Sequence, residues 1–165
     1  MNEMKFAPEE KSMAGDHAAI RVPPPLVLLG TVVLGAAASM LAPLPLTRKG
    51  WLRLAGIPLL AAGVGVAATA RQRMVRLGTT PHPGHPTTAL VTQGPYRFTR
   101  NPIYLGMALL ITALGLLANS LWFLPLAAAF LLTLQTQVIR YEEAYLENKF
   151  GEDYRQYKEQ VRRWI

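Results

Sequence analysis

Residues 101–139 read NPIYLGMALLITALGLLANSLWFLPLAAAFLLTLQTQVI and contain no charged side chain. A helix needs about 20 apolar residues to cross a bilayer, so this run is too long for one crossing and suits two. Asn119-Ser120 interrupts the run near its middle and predicts a turn there. The stretch therefore predicts a hairpin of two transmembrane helices, at about 102–118 and 121–139.

Two further uncharged runs precede this hairpin. One lies between Arg21 and Arg48 and the other spans 54–70, and each has the length of a single crossing. They predict transmembrane helices at about 24–44 and 52–70. A soluble helical protein is the weaker alternative, because soluble helices carry a polar face and these segments do not. A cleaved signal peptide is also disfavoured, since its apolar core has only about 7–15 residues.

The distribution of charge predicts how these helices are oriented. The net charge is +7, and 14 of the 17 basic residues lie in segments 1–21, 71–101 and 140–165. The opposite side would carry the other three, Arg48, Lys49 and Arg53. By the positive-inside rule, both termini and the 71–101 loop are expected in the cytoplasm, with the protein in the inner membrane if the cell is bacterial. The charge thus predicts topology, and no nucleic-acid partner is expected.

Several classes of chemistry are disfavoured by composition. The chain has no cysteine, which excludes a disulfide framework, a cysteine nucleophile and a thiolate metal site. His82 and His85 lie among prolines without a carboxylate or a third ligand nearby. We therefore expect no metal site.

The chain divides into a tail and one domain. Residues 1–21 are polar and predict a flexible N-terminal tail. The domain, 22–165, has two spans over 22–70, a proline-rich loop over 71–101, the hairpin over 102–139 and an amphipathic helix over 140–165. Apolar residues recur on one face of that last segment with helical spacing and define the amphipathic helix, with a possible break at Gly151: Leu146, Phe150, Tyr154, Tyr157, Val161 and Trp164. The predicted fold class is all-α, a polytopic membrane protein of about four transmembrane helices plus this C-terminal amphipathic helix.

Small residues give the second span a face suited to close helix packing, at Gly56, Ala61, Gly63, Gly65 and Thr69.

Polar residues gather where the hairpin begins and ends. If the two hairpin helices meet at Asn119, their other ends lie side by side. Asn101 and Pro102 then face Glu142 and Glu143. Neighbouring carboxylates at a membrane boundary are paired or functional. Consecutive helical residues point about 100° apart, so we expect the two glutamates to have different partners.

These residues resemble a known family. The stretches LVTQGPYRFTRNPIYLG at 90–106 and EEAYLENKFGEDYRQYKEQV at 142–161 are similar to the integral-membrane methyltransferases of the isoprenylcysteine carboxyl methyltransferase and phospholipid methyltransferase group. The resemblance covers about residues 85–163. It implies a methyltransferase that uses S-adenosylmethionine and methylates a lipophilic small molecule or a lipid-modified substrate next to membrane lipid.

The resemblance also implies site residues. The residues expected to bind the cofactor are Leu90, Val91, Gly94, Tyr96, Asn101, Pro102, Ile103, Tyr104 and Glu142. The candidate catalytic residues are Arg100, Arg140 and Glu143.

Two departures from the family pattern bear on the substrate. Asn101 stands where the family has a histidine before proline, and asparagine cannot take up a proton at neutral pH. Val138 stands where some carboxylate-methylating members have an arginine. The acceptor thus remains open among a prenylcysteine carboxylate, a lipid amine, an isoprenoid and a small thiol.

The alternative functions are a membrane sterol-type reductase that uses NADPH and a non-enzymatic membrane scaffold.

Overall fold

The structure of the protein is a computed structural model, and it describes residues 22–48, 50–79 and 87–165. The predicted tail at 1–21 and the pair His82 and His85 lie outside the described residues. The ordered elements are, in chain order, α1 Pro24–Leu41, α2 Arg53–Arg76, a 3₁₀ turn Gly94–Arg97, α3 Pro102–Ala118, α4 Phe123–Leu134, a π turn Gln135–Ile139, α5 Arg140–Phe150 and α6 Glu152–Gln160. The described residues form no strand, which confirms the all-α fold class.

The helices have the dimensions of membrane spans. Three are long and apolar enough to cross a bilayer, namely Pro24–Leu41, Arg53–Arg76 and the continuous helix Phe123–Phe150. Pro102–Ala118 is also apolar, and its 17 residues reach the lower limit of about 17 for a crossing. The fold and the apolar surfaces of these helices identify a membrane protein.

Two helices extend further than the sequence indicated. The helix predicted to end at residue 70 continues to Arg76. The helix predicted to end at residue 139 passes through the π turn and ends at Phe150. Gly151, with a φ of 54°, separates it from α6, and left-handed φ values favour glycine. The amphipathic helix is therefore α6, whose Tyr154 and Tyr157 are buried.

Small residues set the closest helix contact, between α2 and α3. A Cβ added to Gly63 would lie 2.9 Å from the Gly106 carbonyl oxygen, and one added to Gly106 would lie 2.7 Å from that of Gly63. Only glycine permits this approach of two backbones. The first turns of α3 are therefore placed against the middle of α2.

The turn between α3 and α4 is held by the segment after α1. Asn119 adopts a left-handed conformation with a φ of 51° and ends α3, a common helix end for asparagine. Its side chain accepts from the Thr47 N–H at 3.1 Å and donates to the Thr47 carbonyl at 2.9 Å. Trp122 donates to the Ala42 carbonyl at 2.7 Å. The hairpin is thus closed at this end, and the residues predicted to form the site lie at the other.

Candidate functional site

The ends of α3 and α5 meet through one short hydrogen bond. Tyr104 lies in the first turn of α3, and its hydroxyl donates to Oε1 of Glu142 at 2.6 Å. Glu142 lies in the first turn of α5, directly after the π turn. Single π turns within α-helices are frequent at functional sites. The contact agrees with the expected side-by-side arrangement of the hairpin's ends.

The neighbouring carboxylate has different partners. Arg163 binds Glu143 with both arms, Nε to Oε1 at 2.9 Å and Nη2 to Oε2 at 2.6 Å. Nη2 of Arg100 lies 3.3 Å from Oε1 of the same residue. The side chains of Glu143 and Arg100 are 13% and 11% exposed, so this ion pair is largely enclosed. The two glutamates therefore point to different surroundings, as their spacing predicted.

The remainder of the Arg100 guanidinium is packed against protein. Its Nε and Nη1 are buried and have no hydrogen-bond partner among the described residues. The buried Tyr154 lies near this guanidinium: burial and the charge of Glu143 raise the pKa of Tyr154 to about 12, and Arg100 opposes this rise through its charge and a hydrogen bond. Arg100 and Glu143, predicted to be catalytic, thus form an internal ion pair beside the aromatic residues of α6.

The loop before α3 contributes an apolar wall. Val91 and Tyr96 are buried against Ala70 of α2, with Ile103 packed beside them. The Tyr157 hydroxyl donates to the Tyr96 carbonyl at 2.8 Å. Burial raises the pKa of the Tyr96 phenol, and the charges of Tyr157 and Glu142 raise it further. Tyr96 therefore stays neutral, and the charge of the Glu142 carboxylate, which Tyr104 binds, contributes to this.

The start of α3 leaves backbone donors without a side-chain cap. Pro102 is the first residue of the helix and is buried. The side chain of Asn101, the residue before it, does not cap the helix. Asn101 instead donates from Nδ2 to the Arg163 carbonyl at 2.9 Å. The first N–H groups of a helix attract anions when no cap binds them. The position where the family has histidine is therefore a hydrogen-bond donor to the C-terminal segment.

Two predicted cofactor residues lie in a separate crevice. Leu90 and Gly94 line a cavity of about 1150 Å³ between the end of α2 and α6, with Arg73, Arg97, Asp153 and Tyr157. Tyr104 and Glu142 are not among its lining residues. The Tyr104–Glu142 pair therefore lies outside this cavity. Of the predicted cofactor residues, the structure brings Tyr96 and Ile103 together in an apolar cluster and joins Tyr104 to Glu142 by a hydrogen bond.

The third predicted catalytic residue lies apart. Arg140 is exposed at the first position of α5. The ion-pair partners of Glu143 are Arg100 and Arg163 instead. In the part of the chain that the structure describes, no three His, Cys, Asp or Glu residues form a group that could hold a metal ion. The candidate site therefore consists of tyrosine hydroxyls and rings, one carboxylate and a helix N-terminus.

Sequence reasoning missed several residues that shape this site. Arg163 and Tyr157 hydrogen-bond to the predicted site residues Glu143 and Tyr96, and Trp164 hydrogen-bonds to Gln135 of the π turn. Tyr157 and Trp164 were assigned to the apolar face of the C-terminal helix, which indicated burial without a partner. Arg163 carried no signal beyond its charge.

These features define a polytopic helical membrane protein with a tyrosine–carboxylate site where its hairpin begins and ends. Residues 51–153 match the phospholipid methyltransferase family. This match covers more than half of the chain, so the chain belongs to this family of membrane methyltransferases. The match also confirms the resemblance seen in the sequence. An uncharacterized protein of Haemophilus influenzae (strain ATCC 51907 / DSM 11121 / KW20 / Rd) is 47% identical to this chain over 64 residues, which are 38% of this chain and 100% of that protein. Members of the family generally use S-adenosylmethionine.

Proposed function

We propose that the protein transfers a methyl group from S-adenosylmethionine to a lipophilic acceptor at the membrane surface. The observation that carries the proposal is the pair Tyr104 and Glu142, joined at 2.6 Å beside the uncapped start of α3. It occurs in a chain that belongs to a family of membrane methyltransferases.

The residues present fit the polar groups of this cofactor. A carboxylate such as Glu142 suits the ammonium group or the ribose hydroxyls. The N–H groups of Ile103 and Tyr104 at the start of α3 suit the cofactor's carboxylate. The rings of Tyr96 and Tyr104 suit a flat adenine. The proposed cofactor residues remain Leu90, Val91, Gly94, Tyr96, Asn101, Pro102, Ile103, Tyr104 and Glu142.

When bound, S-adenosylmethionine supplies a methyl group activated by its cationic sulfonium. The contribution of the protein is then to align the two reactants and to exclude water. Val91, Tyr96 and Ile103 pack into an apolar cluster that serves the second purpose. Tyr104 holds the Glu142 carboxylate in one orientation. No residue of this set needs to exchange a proton for either task.

The predicted catalytic residues receive separate roles in this proposal. Arg100 and Glu143 position the start of α3 through their ion pair. Arg140, exposed at the start of α5, contacts a negatively charged part of the acceptor. The family name favours a phospholipid acceptor, while a prenylcysteine carboxylate remains the second class to assay.

We further propose that both termini and the site face the cytoplasm. The support is the concentration of basic residues on that side of the helices.

Calorimetric titration of the detergent-purified protein tests the function. We expect saturable binding of S-adenosylmethionine and S-adenosylhomocysteine and no binding of NADPH. Binding of NADPH alone would move the protein to the sterol-type reductases, and binding of none would favour a scaffold. With cofactor binding established, transfer of a labelled methyl group to phosphatidylethanolamine or to a prenylcysteine in mixed vesicles identifies the acceptor.

A further inference from the structure

Residues 161–165, here called the terminal segment, lie beside the residues that precede α3. The segment leaves α6 in an extended conformation at Val161. The Arg100 N–H donates to the Arg162 carbonyl at 3.0 Å. The Thr99 hydroxyl donates to the Arg163 carbonyl at 3.0 Å, and Nδ2 of Asn101 donates to the same carbonyl at 2.9 Å. Three consecutive residues before α3 are thus bound to two consecutive carbonyls of the terminal segment.

The side chain of Arg163 extends this contact to α5. It binds both oxygens of Glu143, at 2.9 and 2.6 Å, and that hydrogen-bonded ion pair raises the pKa of the guanidinium. Planar, two-armed pairs of this kind are the strongest arginine–carboxylate contacts and fix the relative orientation of the two groups. Arg163 therefore holds α5 next to the start of α3.

A third contact reaches the π turn. Nε1 of Trp164 donates to Oε1 of Gln135 at 3.1 Å, and the Trp164 ring packs against the main apolar core. Gln135 is the first residue of the π turn, which directly precedes the turn of α5 that carries the two glutamates. The terminal segment is thus bound to both elements that the Tyr104–Glu142 hydrogen bond connects.

We infer that Arg163 is a positioning residue for the cofactor site, an inference that rests on the proposed function. The distance between Tyr104 and Glu142 depends on how the start of α3 sits against α5. Arg163 contacts both sides, through its carbonyl and its guanidinium. Without the guanidinium, the enclosed Glu143 carboxylate keeps only Arg100 at 3.3 Å. A poorly compensated buried charge favours rearrangement toward water, and α5 then moves away from α3.

The inference is tested with Arg163→Ala, Arg163→Lys and the control Arg162→Ala. Arg162 is exposed and contributes its backbone carbonyl, which the control leaves in place. The affinity for S-adenosylhomocysteine is measured by calorimetry, at a temperature well below the lowest melting midpoint of the four proteins. We expect affinity about tenfold weaker in Arg163→Ala, less than the full effect of unpairing a buried charge, because Arg163 is 32% exposed and Arg100 still faces Glu143. Arg163→Lys should lie between this variant and the wild type, and the control should match the wild type.

The outcomes separate this inference from the proposed function. A wild-type protein that binds no S-adenosylhomocysteine contradicts the proposed function itself. Wild-type affinity in folded Arg163→Ala overturns only the positioning role, even if the melting midpoint of the variant falls. A residue that only stabilises the fold changes the folded fraction and leaves the affinity of the folded molecules unchanged. If Arg163→Ala does not fold, Arg163→Lys decides. Reduced affinity in folded Arg163→Lys supports the inference, and unchanged affinity overturns it.

Discussion

The hydroxyl of Tyr104 and the carboxylate of Glu142 lie 2.6 Å apart, although 38 positions separate them in the chain. The bond connects the first turn of α3 to the first turn of α5 at the open end of the hairpin. At the closed end, Asn119 bonds to Thr47. Because the hairpin is bonded at its closed end, we expect substitutions at its open end to affect the site more than the fold.

Removing the charge of Glu142 should weaken cofactor binding. In Glu142→Gln we expect affinity for S-adenosylhomocysteine to fall about tenfold, which corresponds to about 1.4 kcal/mol. Tyr104→Phe keeps the ring and loses the hydroxyl, so its effect should be smaller. Calorimetric titration of both variants and the double variant gives their coupling energy. Glu147→Gln is the matched control, since Glu147 of the same helix pairs with Lys158. Wild-type affinity in Glu142→Gln would remove Glu142 from the site.

The sequence predicted the parts of this site that follow from local rules. Charge-free runs predicted the helices, and the turn at Asn119 brought Asn101 and Glu142 to the same end. The angle between consecutive helical residues separated Glu142 from Glu143. All three are consequences of helix length and periodicity, and these are encoded within a short stretch of chain.

The terminal segment and the π turn could not be predicted in the same way. Arg163 bonds to residues from two distant segments, and a charged side chain has no periodicity that identifies such partners. The π turn forms in QTQVI, a sequence equally compatible with an α-helix. Likewise, the small residues of α2 predicted packing, yet only the three-dimensional structure distinguishes Gly63, at the contact, from Gly65, which faces open space.

That distinction gives a stability prediction with an internal control. A Cβ at Gly63 would lie 2.9 Å from the Gly106 carbonyl and 3.1 Å from Leu109 Cβ, whereas one at Gly65 meets nothing within 4 Å. We expect Gly63→Ala to destabilise the protein by about 1–3 kcal/mol, as for an overpacked contact. Gly65→Ala should be neutral or slightly stabilising, because alanine favours helix. Thermal unfolding in detergent measures both, and equal midpoints would contradict the close contact of α2 and α3.

The absence of cysteine allows a direct test of topology. Arg48→Cys and Glu159→Cys each introduce one thiol at an exposed position, on sides predicted to be opposite. With a membrane-impermeant maleimide, we expect position 48 to react in intact cells and position 159 only after permeabilisation. Arg48→Cys removes a positive charge from the side predicted to be outside, so the charge bias keeps its direction. The reverse pattern would invert the topology, and equal reactivity would contradict an odd number of crossings between the two positions.

The Tyr157 phenol should make stability depend on alkaline pH. Its pKa is raised above the ordinary value of about 10, chiefly by burial and to a smaller extent by the charge of Tyr154. Above pH 10 the unfolded chain therefore loses this proton while the folded chain keeps it, so stability present below pH 10 decreases as pH rises. At neutral pH, Tyr157→Phe should cost about 1 kcal/mol, because the Tyr96 carbonyl loses its donor. By pH 11 the difference should shift by about 1.4 kcal/mol against the wild type, so that the wild type becomes slightly less stable than Tyr157→Phe. Unfolding of both proteins in denaturant at pH 8 and pH 11 measures this change, and a constant difference would mean that the phenol is accessible to water in the folded state.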